Sequence, residues 1–116
     1  MSLRLEQLEP VFYRIDPQDA SRLHQVESLH EAQGIMFLCP KCFWENGCSN
    51  VGVHQVMCWF KDRGVPDEMD PKPGRWTPHG TGFHDLSFVG PGATSVLLTT
   101  GCQWHGHITC GEVTNC

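Results

Sequence analysis

The chain reads as a mainly β protein: a small antiparallel sheet domain with zinc knuckles, one short helix and long loops. Three observations lead there. Glycine and proline, 12 and 8 of 116 residues, favour turns over long helices. Short apolar, β-branched runs at 11–15, 35–38, 53–60, 86–89, 94–100 and 106–110 are each bounded by turn residues. Two of these runs, 35–38 and 94–100, lead to paired metal-ligand residues, Cys39-x2-Cys42 and Cys102-x2-His105.

Taken in order, residues 1–27 mix apolar and charged residues without a sustained period and read as an N-terminal arm, with one strand at 11–15 ended by Asp16-Pro17. Residues 28–116 form the zinc-binding β domain. Ser28 and Glu31 match a capping box, and Gly34 is placed to end that helix in a left-handed conformation. Residues 35–38 form the strand entering the first cysteine pair. The 53–60 run carries apolar residues on both faces, as expected of a strand covered on both sides. Residues 61–82 are too long for a simple connection, and Arg75-Trp76 reads as the anchor of that loop. Strands follow at 86–89 and 94–100, with another after Gly106 and a last one near Val113.

Composition narrows the function classes. The net charge is −5 with only eight basic residues and no Lys/Arg cluster, which argues against nucleic-acid binding through phosphates. No apolar run reaches membrane-spanning length, and Met1–Glu6 lacks a signal-peptide layout. The expectation is an intracellular protein. Seven cysteines, an odd number, cannot all pair within one chain. In a reducing compartment metal ligation explains them better than disulfides. Cys58, inside an apolar strand, reads as a small buried hydrophobe.

The spacing predicts a metal site made of Cys39, Cys42, Cys102 and His105. Each pair sits at a strand end and supplies half of a tetrahedron, so two loops face each other across one ion. Three thiolates and one imidazole make a closed structural zinc site. Zinc is favoured over an iron–sulfur cluster because a histidine is included, and a redox Cys-x2-Cys lacks its βαβ context. Cys48, His54, His107 and Cys110 are possible substitute ligands. His54 reads as a hydrogen-bonded strand residue, or as a group beside the site facing His107.

The Phe37-x-Cys39-Pro40-x-Cys42 entry, His54, and the stretch from Ser95 to Cys102 and His105 before Gly111-Glu112 resemble small bacterial and phage proteins of the domain class called DUF6527. The resemblance covers roughly residues 28–114. It implies a zinc-binding β domain and a phage or prophage setting, without an activity. The combined expectation is a zinc-stabilised interaction protein, a phage accessory or virion-associated factor, whose partner is another protein chain, itself or a different one. The alternative is a small zinc-dependent hydrolase with His54 and His107 beside the metal.

Overall fold

A computed structural model describes residues 1–92, 94–99 and 101–116. The protein is mainly β, with three small antiparallel sheets around one apolar core. Among the described residues ten strands run in chain order: β1 Ser2–Arg4, β2 Val11–Ile15, β3 Leu23–Val26, β4 Gly34–Leu38, β5 Gln55–Trp59, β6 Thr77–His79, β7 Ser87–Val89, β8 Ser95–Leu97, β9 His105–Thr109 and β10 Glu112–Asn115. A 3-10 turn occupies Leu5–Leu8, and one α-helix, α1, spans Pro40–Glu45. The first sheet has the order β1-β10-β9-β8, the second β3-β2-β4-β5, and β6 pairs with β7.

Alternation decides which side chains face inward. Along β9 and the residue before it, Trp104, Gly106 and Ile108 are buried, whereas His105 is exposed and His107 half-buried. Val113 of β10, the cross-strand partner of Ile108, is buried with them. From the second sheet Phe12, Ile35, Phe37, Val56 and Cys58 join the same cluster. The Phe37 and Trp104 rings meet at right angles with centroids 6.2 Å apart, linking the two four-stranded sheets. Gly106 belongs to this packing, because a Cβ there would run into the Thr114 carbonyl oxygen and the Trp104 ring.

Several expectations needed correction. Residues 1–27, read as an arm, are woven into both large sheets: β1 pairs with β10, and β2 lies between β3 and β4. Leu3, Leu5, Leu8 and Phe12 are core residues. The helix expected after Ser28 is a single turn. The Glu31 amide donates to Ser28 Oγ (3.2 Å) and the Ser28 hydroxyl donates to Glu31 Oε1 (2.8 Å). Yet Gly34 opens β4 instead of ending a helix, because two turns of helix cannot outlast the pull of sheet pairing. The short helix begins instead at Pro40, a residue pre-organised for a first helical turn.

The strands read at 11–15, 35–38, 53–60 and 86–89 are present with small shifts of boundary, and β8 lies inside 94–100, whose last residue, Thr100, falls outside the described residues. Arg75-Trp76 anchors its loop as expected. The Arg75 guanidinium donates to the carbonyls of Pro66, Met69, Pro71 and Gly74. Trp76 stacks on Phe88 at 5.6 Å, and its Nε1 donates to the Ser95 carbonyl at 2.9 Å. Among the described residues no helix is long and apolar enough to cross a membrane.

Candidate metal centre

β4 and β5 pair in a register that sets Leu38 opposite Gln55. One step further places Cys39 opposite His54, and the Cys39 amide donates to the His54 carbonyl at 2.8 Å. Directly opposed residues hold their Cβ atoms about 4.5–5.5 Å apart, so the hairpin brings a thiol and an imidazole together at its open end. Helix α1 starts straight after Cys39 and turns Cys42 back toward it. Cys102 arrives from the other large sheet, in the turn between β8 and β9. That turn is closed by the Leu98 amide donating to the Trp104 carbonyl at 2.9 Å. Gly101 and Gln103 on either side of Cys102 both take positive φ, +66° and +57°. Glycine does this without strain, whereas glutamine rarely does.

The outcome is a cluster of Cys39, Cys42, His54 and Cys102 whose four donor atoms all lie within 4.8 Å of one another. Cys39 Sγ is 3.3 Å from Cys102 Sγ, and His54 Nε2 is 3.4 Å from Cys102 Sγ. With Zn–S near 2.3 Å and Zn–N near 2.0–2.1 Å, the edges of a tetrahedron are roughly 3.5–3.8 Å, so these residues can hold one metal ion with little movement. Cys39 is fully buried, Cys42 and Cys102 are half-buried, and His54 forms the exposed rim. The Lys41 ammonium spans the gap between the two sheets and donates to the Cys102 carbonyl at 2.9 Å.

The electrostatics suit a cation. Burial pushes the Cys39 thiol up to about 12, and the neighbouring Cys102 adds to the shift, although the Cys42 amide opposes it. Burial, then Cys102, also raise the Cys42 thiol. Cys102 goes the other way, to about 7: burial raises it, but hydrogen bonds with His54, Cys39 and the Trp104 backbone N–H together outweigh that. Cys102 is therefore the first of the three to ionise. Thiolate donors crowded into a low-dielectric space are compensated by a bound cation, whose uptake displaces their protons.

Three of the four residues expected at the site, Cys39, Cys42 and Cys102, are brought together, and His54 stands where His105 was expected. His105 faces outward from β9 because Trp104 next to it is buried, and adjacent residues of an extended chain point to opposite faces. The signal for His54 lies in the register and not in the spacing of the motifs. With 35–38 and 53–60 paired so that Leu38 meets Gln55, 39 and 54 become cross-strand neighbours. Cys48 and Cys110 are exposed, Cys58 is buried in the core, and none of them joins the cluster. Comparison with protein-family profiles, curated proteins and solved structures returns no match for this chain.

Proposed function

We propose that this chain is a small zinc-stabilised binding protein, with one structural zinc ion held by Cys39, Cys42, His54 and Cys102. The observation that carries the reading is the donor set itself: four protein ligands, three of them sulfur, drawn from two different sheets onto one point. Soft thiolates with one imidazole select zinc over hard cations. Four protein donors leave no position for a water, the pattern of a structural site and not of a catalytic one. Zinc here would clamp the β4–β5 hairpin to the β8–β9 turn.

The binding role concerns a second protein chain, in the phage or prophage context suggested by the resemblance of the cysteine motifs. It is supported by Trp44 and Val51, large apolar residues left 50% and 76% exposed on the segment between the ligands Cys42 and His54. Exposed aromatic residues within a polar surround are common anchors of protein contacts.

Metal analysis of protein purified without chelator tests the zinc assignment, with one zinc per chain expected. Cobalt in its place should give the absorption of a tetrahedral thiolate site. His54→Ala should lose metal to a competing chelator at least tenfold more readily than the parent, whereas His105→Ala should retain zinc at this site like the parent. A folded, metal-free protein, or retention that depends on His105 and not on His54, would overturn the assignment.

A further inference from the structure

The residue displaced from the first cluster stands in a second constellation of donors. His105 and His107 are two apart on β9 and share the outward face opposite to buried Trp104, Gly106 and Ile108. The register of β9 with β10 pairs His107 with Thr114 and Gly106 with Asn115. One step further sets Cys116 opposite His105, and the Cys116 amide donates to the His105 carbonyl at 2.9 Å. Cys116 is thus on the same outward face. Its Sγ lies 3.4 Å from His107 Nδ1, the same separation found between His54 Nε2 and Cys102 Sγ in the first cluster.

We propose that His105, His107 and Cys116 form a second, solvent-accessible site for a borderline-soft divalent transition ion of the zinc and cobalt class. A histidine pair at i and i+2 on a strand, with a cysteine on the neighbouring strand, shares one face of the sheet, and its side chains can be turned toward one point above it. Two donors already stand at a ligand–ligand distance. The third is a directly opposed residue, with Cβ atoms about 4.5–5.5 Å apart, and its exposed side chain is free to turn. Imidazole and thiolate together favour such ions over magnesium or calcium. His105 and Cys116 also line an open hollow of about 280 Å3, which gives an ion access from solvent. Lys41 lines the same hollow, but its ammonium is engaged with the Cys102 carbonyl. Unlike the first cluster, this one joins adjacent strands of a single sheet. It adds no link between sheets, and its ion exchanges with solvent.

The test is cobalt titration into the zinc-loaded protein, with retained zinc measured alongside. The expected result is a second equivalent of metal that leaves the first zinc in place and carries a sulfur-to-cobalt charge-transfer band. Cys116→Ser should abolish that band. His105→Ala and His107→Ala should each weaken the second equivalent at least tenfold. His105 and Cys116 are exposed and His107 is half-buried, and circular dichroism of each variant verifies that the fold is kept. Uptake of no second equivalent at excess cobalt, or a band unchanged in Cys116→Ser, overturns the proposal. An unchanged affinity in either histidine variant overturns the three-residue site. Should the Cys39 cluster fail to hold zinc, the difference between the parent and Cys116→Ser still reads the second site alone.

Discussion

At the scale of single residues, Cys58 shows how burial alone alters a thiol. It has no exposed surface in β5, and burial pushes its ionisation far above the ordinary range. Cys58→Ser would place a hydroxyl in that apolar space, where an unsatisfied polar group costs roughly 1–3 kcal/mol. Chemical denaturation should register that loss while zinc content stays unchanged. Asp85 is governed by hydrogen bonds instead. Its carboxylate accepts from the Thr81 and Gly82 amides and from the Thr81 hydroxyl, each at 2.8 Å. These hold it below the usual 3.8, at about 2. A carboxyl lowered by folding stabilises the folded state above its unfolded value, and the effect fades as pH falls through the folded one. An NMR titration should therefore find Asp85 ionising near 2, with the Thr81 and Gly82 amides losing protection only over that acid range. His54 marks what residue-by-residue reading could not reach. Nothing beside it in sequence names it a ligand, since its relation to Cys39 exists only through a backbone register.

At the scale of elements, most strands were legible because alternation and turn residues are local signals. The short helix was not. Ser28 and Glu31 make the hydrogen bonds of a helix start, but the chain there is drawn into β4, and tertiary pairing overrides the local preference. Residues 1–27 misled for a related reason. β1 and β2 are short, and their partners lie at the far end of the chain or beyond a hairpin, so only the folded register reveals their place. Deleting residues 1–15 would remove Leu3, Leu5, Leu8, Phe12 and Ile15 from the buried set. Burial of such side chains is worth about 1.5–3 kcal/mol each, together comparable with the whole stability of a domain, about 5–15 kcal/mol. The truncated chain should lose its cooperative thermal transition. A truncation that melts like the parent would show that β1 and β2 are dispensable cover.

At the scale of the whole molecule, two four-stranded sheets share one core, and the proposed zinc joins them at one end. A ligand that binds only the folded state stabilises it by mass action, so each tenfold rise in free zinc above its dissociation constant should add about 1.4 kcal/mol. Denaturation midpoints measured at buffered zinc levels should rise accordingly, and Cys39→Ser should flatten the dependence. The sequence pointed to a meeting of two distant segments, because Cys39-x2-Cys42 supplies only two donors; the structure divides the four as three from the β4–β5 hairpin and Cys102 from the second segment. Which side chain of the second segment faces inward was settled by Trp104, whose large ring takes the core position and turns His105 away.

The spacing of the four ligands along the chain also sets an order of assembly. Cys39, Cys42 and His54 fall within one hairpin, whereas Cys102 follows only after β6, β7 and β8. During synthesis from the N-terminus, a ribosome that has released the hairpin has already presented three donors. Closing so short a loop costs less chain entropy than closing the long one to Cys102. An ion captured there, under the proposed assignment, would hold the hairpin with one coordination position open. Cys102 would then fill that position and draw the β8–β9 turn of the other large sheet onto the hairpin, so the metal would act as a latch closed only after β6, β7 and β8 have been made.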